Sequence, residues 1–194
     1  MNIMFFDTET NGLPRSFDVD NLRPGNWPSM VQVAWIIVNE DGKEIEKREL
    51  LMKLPEGEIE NPRAVAVHGK TTELIKEKGI EIEEVLKEFR DALSRSTVVV
   101  AHNINFDLGI IYSNFKNQLG VDLRNDFLGK KLICTKESST DYCKIPSSRG
   151  YKWPSLSELH NHLFGKDFEN AHDAMGDVVA MKNCYYELVK RNVI

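Results

Sequence analysis

Apolar positions divide the chain into short unbroken runs followed by spaced stripes. Ile3-Met4-Phe5-Phe6 and Val31-Gln32-Val33-Ala34-Trp35-Ile36-Ile37-Val38 read as buried strands over 3–7 and 31–38. Between them, residues 11–30 carry Asn-Gly, Arg-Pro-Gly and Pro signals and read as a long loop. Asp41-Gly42 marks a tight turn into a less regular strand over 44–52. Asn61-Pro62 supplies an N-cap and a first-turn proline for a short helix ending near His68. Ile82, Val85, Leu86, Phe89 and Leu93 keep helical spacing over 81–94, and 97–100 is a short strand. Leu108, Ile111, Phe115 and Leu119 form the next stripe, closed by Gly120. A weaker strand near 131–134, a polar stretch over 136–152, and helices over 155–164 and 173–191 complete the order. Three leading strands followed by alternating helix and strand predict an α/β fold. A central mixed five-stranded sheet is flanked by helices, in a single domain over 1–194.

Composition narrows the class without naming the chemistry. No run approaches the ~20 apolar residues of a membrane span, and no secretory signal opens the chain, so a cytoplasmic protein without a membrane partner is expected. Cys134, Cys143 and Cys184 fit no zinc spacing and are read as reduced thiols. A net charge of −5 argues weakly against non-specific polyanion binding. Acids that hold cations reverse that inference, because the bound charge belongs to the field a phosphate feels.

Chemistry enters directly behind the first apolar run. Asp7 and Glu9 stand two residues apart, so in a strand both carboxylates face the same way. Two adjacent anions at a buried strand repel and lose hydration, which favours a shared hard cation such as Mg²⁺. Two later segments add acids: His102-Asn103-Ile104-Asn105-Phe106-Asp107 and His172-Asp173-Ala174-Met175-Gly176-Asp177. If strands 3–7 and 97–100 are neighbours, their ends bring Asp107 against Asp7 and Glu9. His172 converges with Asp177 most easily from the loop before the last helix, with Asp177 in its second turn and Asp173 as N-cap. A glycosidase would use a carboxylate pair, but leaves Asp107, His172 and Asp177 without a role together.

These three segments resemble the exonuclease motifs of the DEDDh, or DnaQ-like, family. That family includes the proofreading epsilon subunit of bacterial DNA polymerase III, ribonuclease T and oligoribonuclease. Phe6-Asp7-Thr8-Glu9-Thr10-Asn11-Gly12, His102-Asn103-x-x-Phe106-Asp107 and His172-x-Ala174-x-x-Asp177 match in order, across nearly the whole chain. Val31-Gln32-Val33-Ala34, Val67-His68-Gly69 and Leu156-Ser157-Glu158-Leu159 agree as secondary signatures. The resemblance implies a ribonuclease H-like fold and a 3′–5′ exonuclease releasing nucleoside 5′-monophosphates. It makes Asp7, Glu9, Asp107 and Asp177 ligands of two divalent cations, Mg²⁺ or Mn²⁺, and His172 the general base. Such a two-metal site can activate a water and stabilise the leaving oxygen.

By the same resemblance, Thr8, Thr10, Asn11, Gly12 and Leu13 hold the 3′-terminal nucleotide, with Leu13 set to wedge between bases or simply to pack within its loop. His68 faces the terminal sugar or is a satisfied helix-end histidine; Asn103 and Phe106 are similarly placed, Phe106 with core packing as its other reading. The expected partner is a nucleic acid with a free 3′ end, DNA ahead of RNA. A ribonuclease T-like or oligoribonuclease-like RNA-processing enzyme is the alternative, and a non-catalytic nucleic-acid-binding module a weaker one. Relatives form homodimers, although no residue pattern marks one. The chain ends soon after the last motif's helix, without an extension like the epsilon subunit's polymerase-binding tail, so a stand-alone enzyme is expected. Lys130, Lys131, Lys136, Lys144, Arg149 and Lys152, interleaved with Tyr142, Tyr151 and Trp153, read as a solvated lysine-bearing loop, with a phosphate-backbone guide as the alternative.

Overall fold

The apolar run that opens the second strand becomes the middle of the molecule. In a computed structural model, which describes residues 1–58 and 61–194, β2 (Met30–Val38) is buried at every position. It lies antiparallel to β1 (Ile3–Thr10) and to β3 (Glu44–Leu51). β4 (Val98–Ala101) runs parallel to β1, and β5 (Lys131–Cys134) parallel to β4, in the order β3-β2-β1-β4-β5. This is the mixed five-stranded sheet read from the pattern. β3 is one of the two edge strands, and its charged side chains discourage pairing with another chain.

Helices cover both faces. Asn61 caps α1 (Pro62–His68), which Gly69 ends. An additional helix, α2 (Thr72–Lys78), follows, and α3 (Ile82–Ser94) buries Val85, Phe89, Ala92 and Leu93. Two short helical turns, α5 (Thr135–Ser138) and α6 (Thr140–Cys143), come after α4 (Ile104–Leu119) and β5. A small hairpin of β6 (Pro146–Ser147) and β7 (Gly150–Tyr151) then leads to α7 (Leu156–Phe164) and α8 (Ala174–Lys190). The expected polar stretch 136–152 is therefore partly ordered into these pieces. Each large apolar side chain fully buried between sheet and helices contributes about 1.5–3 kcal/mol.

β1 distributes its side chains between the two faces. Phe5 meets Tyr185 and Tyr186 of α8, while Phe6 meets Phe89 of α3. Alternation therefore turns Asp7 and Glu9 toward α8, and Thr8 and Thr10 toward the α3–α4 layer.

The 11–29 connection is packed rather than structureless. Asn26 donates to the carbonyls of Ser16 and Asn21, and accepts from the Ser16 N–H. Asn114 of α4 joins the Met30 N–H and the Pro28 carbonyl. Trp27 rests on α4 because Gly109 has no side chain; a Cβ there would lie 2.2 Å from the indole. Among the described residues, no helix is long and apolar enough to cross a membrane. All three cysteines are free and buried.

Candidate active site

β1 extends three residues beyond the expected 3–7, so Glu9 as well as Asp7 lies inside the strand. Their backbones continue to pair with β2, Asp7 opposite Ala34 and Glu9 opposite Gln32. On this face the N-terminus of α8 delivers Asp177. Ligand oxygens of Asp7, Glu9 and Asp177 all lie within 4.8 Å of one another, the one such cluster among the described residues. No histidine or cysteine joins it. His160 instead bonds the Lys166 carbonyl through Nδ1.

Asp107 reaches the site from the other layer. It lies in the first turn of α4, which starts at Ile104 directly after Asn103, the N-cap residue with a left-handed backbone. Asp107 is only 2% exposed, and its Oδ1 accepts from both the Thr8 N–H at 3.1 Å and the Thr8 hydroxyl at 2.8 Å. Thr8, expected at the nucleotide, thus spends its side chain on fixing an acid.

Burial raises all four carboxyls, and repulsion among them adds to the rise at Asp7, Glu9 and Asp107. Burial, followed by repulsion from Asp107, Asp177 and Glu9, pushes Asp7 well above the usual range. Burial, then Asp177 and Asp107, pushes Glu9 up to about 8, against the pull of Lys70. Asp107 rises to about 7 through burial, opposed by the Thr8 bonds, and Asp177 to about 6 through burial, opposed by its bond from the His172 N–H. Four half-desolvated acids that resist ionisation together suit divalent cations, which remove the repulsion. The donor set is all oxygen, as hard cations prefer.

His172 stands on the turn before α8 with a left-handed φ of 66°, and its N–H donates to Asp177 Oδ1 at 3.3 Å. Asp177 sits in the first turn of α8, not the second. Asp173 caps the helix as expected, accepting from the Gly176 N–H. Two residues absent from the sequence-based site hold this corner. Lys70 donates to Asp173 Oδ1 at 2.6 Å, and Gln32 bridges Asp173, Glu49 and the Ala174 N–H. Burial alone would raise Asp173; the Lys70 bond and charge outweigh it and hold that carboxyl below the usual range.

The remaining expected contacts divide by exposure. Leu13 is 77% exposed, whereas Thr10 is buried and donates to the Gly12 carbonyl. Asn11 accepts from the Asn61 N–H. His68 is buried; its Nδ1 accepts from the Lys70 N–H, and burial, then the Lys70 charge, lowers its pKa. Phe106 is half-buried and packs against Trp27 and the exposed Phe17. The basic stretch loses members. Lys130 donates to the Leu93 and Ser96 carbonyls, and Lys131 begins β5 at the opposite end of the sheet from the acids. Tyr142 packs on His162 and bonds Arg191.

The match extends to sequence comparison. A family model described as an exonuclease, RNase T, covers residues 4–185. The chain belongs to this exonuclease family. Over 140 residues, 70% of its length, it is 30% identical to a PolC-type DNA polymerase III of Thermotoga petrophila. It spans only 9% of that polymerase. Among solved structures, Escherichia coli exonuclease I with a dT13 oligonucleotide aligns with a TM-score of 0.76 and 20% identity, covering 97% of this chain and 41% of that one. The zinc-bound form of E. coli exonuclease I with single-stranded DNA aligns at 0.75 and 21%, covering 98% and 40%. At these identities the likeness establishes a shared fold, the ribonuclease H-like exonuclease fold.

Proposed function

We propose that the protein is a metal-dependent 3′–5′ exonuclease that removes nucleoside 5′-monophosphates from a nucleic acid with a free 3′ end, DNA ahead of RNA. One observation carries this reading: the raised carboxyls of Asp7, Glu9, Asp107 and Asp177 converge from β1, α4 and α8, with His172 bonded to the last of them. Asp7, Glu9 and Asp177, joined by Asp107, would hold two Mg²⁺ or Mn²⁺ ions, which when bound supply an acidified water and charge compensation at the leaving oxygen.

The chain's own residues do the rest. His172 takes the proton of the attacking water, the task for which an imidazole is suited near neutral pH. Thr8 keeps one oxygen of Asp107 in place through two hydrogen bonds. The backbone of Thr8 to Gly12, the apolar edge of Leu13, His68, Asn103 and Phe106 surround the terminal nucleotide. The choice of DNA leans on the PolC-type relative and on the dT13 bound by exonuclease I.

Purified protein with Mg²⁺ or Mn²⁺ should shorten 5′-labelled single strands from the 3′ end, DNA faster than RNA, and release mononucleotides. Asp107→Ala should be inactive. Intact strands of every kind, single and double, would remove the assignment; faster loss of RNA would move it to the exoribonuclease alternative.

A further inference from the structure

The basic stretch that survives in the structure is short and rooted beside the acids. β1, β4 and β5 run parallel, so their C-terminal ends share one edge of the sheet. At that edge His102 follows β4 and Thr135 follows β5. His102 Nε2 lies 3.1 Å from the Pro154 carbonyl and Nδ1 lies 3.0 Å from the Thr135 hydroxyl. Burial pushes the His102 pKa down to about 4, against the Pro154 bond. A carbonyl only accepts, so Nε2 carries the proton and the neutral Nδ1 accepts from Thr135. This bond fixes the C-terminal root of the β6–β7 hairpin, and Ile145 seats the other root against the cluster of Cys143, Leu159 and Leu163.

The hairpin thus held carries one sign of charge. Residues 144–153 contain Lys144, Arg149 and Lys152 and no acid, in a chain of net charge −5. Lys152 is committed to Glu158 at 2.5 Å, but Lys144 and Arg149 are exposed and make no ion pair among the described residues. Tyr151 is 49% and Trp153 59% exposed, and Lys136 stands 5.0 Å over the Trp153 ring. Exposed rings alternating with free cations match a single strand, whose phosphates need cations and whose unpaired bases need flat apolar faces.

We propose that the β6–β7 hairpin binds the single-stranded nucleic acid upstream of the 3′ end, with Lys144 and Arg149 on phosphates and Trp153 under a base. This rests on the nuclease reading for its direction, not for its chemistry. β5 lies two strand spacings, about 10 Å, from β1, which about three stacked nucleotides span. DNA and RNA share the phosphate and base faces used, and the test separates them.

The test is binding of 5′-fluorescein dT13 and rU13 in chelator, between about 50 and 200 mM salt. Lys144→Ala/Arg149→Ala should weaken binding and reduce the slope of log affinity against log salt by about 1.4, two single-strand phosphate contacts. Trp153→Ala should weaken binding about tenfold and leave the slope unchanged. All three positions are exposed, so the melting temperature should not move. Unchanged affinity in both variants, or no binding of either strand by the wild type, overturns the proposal. Wild-type protein that binds dT13 yet leaves it intact with Mg²⁺ refutes the nuclease reading alone. Wild-type protein that degrades dT13, with variants binding equally well, refutes the hairpin alone.

Discussion

Lys70 donates to Asp173 across 2.6 Å, and this bond ties the α1–α2 turn to the residue beside His172. Both side chains are largely buried, at 16% and 29% exposure, so the pair is screened less than a surface ion pair. Asp173 still adds to the repulsion that raises Asp7, Glu9 and Asp177, and the Lys70 charge opposes that rise at Glu9.

If His172 is the proposed base, Lys70→Met should lower kcat by about ten- to a hundredfold with little change in KM, because the turn carrying His172 is displaced rather than the nucleotide. Stability should fall by about 1–2 kcal/mol. Lys70→Arg should restore most of kcat. Steady-state kinetics with thermal melts would decide it, and an unchanged kcat in Lys70→Met would remove the positioning role.

Metal-free stability should fall as pH rises. Glu9, Asp107 and Asp177 have folded pKa values of about 8, 7 and 6, above their unfolded values. Between pH ~4 and ~8 the folded chain therefore binds more protons than the unfolded one, and the slope of stability against pH is negative. Below that window both states are protonated and the penalty vanishes. Mg²⁺ or Mn²⁺ should cancel the decline, adding about 2.7 kcal/mol at a hundred times its Kd. Melting curves at pH 5 and 8, with and without chelator, measure this. A flat metal-free profile would contradict the raised acids.

His172→Ala should reduce turnover by about a hundred- to ten-thousandfold. Its side chain is no expected ligand, so the metal-induced rise in melting temperature should persist. Loss of that rise would make His172 a ligand; full turnover would exclude it as base.

Gly176→Ala tests the turn from the opposite side. A Cβ there would lie 2.2 Å from the Asn170 carbonyl oxygen, a backbone atom that cannot swing aside. The expected cost is about 1–3 kcal/mol, with kcat reduced as the 170–172 turn is displaced. A variant as active and stable as wild type would mean that the turn relaxes freely.

What sequence alone revealed follows from how local each signal is. Asp7 and Glu9 are readable because two residues of strand place them together, and α8 because its apolar stripe is regular. Lys70 and Gln32 were missed because Asp173 lies 103 and 141 residues away from them. The short α2 escaped notice because it buries only Ile75, which leaves no stripe. β1 was ended too early because its acids break the apolar run, although backbone pairing with β2 is indifferent to side-chain polarity. Lys130 joined the basic stretch by proximity in sequence, whereas β5 carries it to the far end of the sheet.

The left-handed turn at His172 divides the site by timescale. Asp7 and Glu9 belong to a strand paired with β2 along its length and with β4 as far as Phe5, which opens only when the sheet does. His172 belongs to an exposed turn whose N–H is held by a single 3.3 Å bond to Asp177. Amide exchange should therefore be slowest near Phe6 and fast at His172. A cation bound at Asp177 would reach the turn through that bond, so amide exchange at His172 should slow when Mg²⁺ is added.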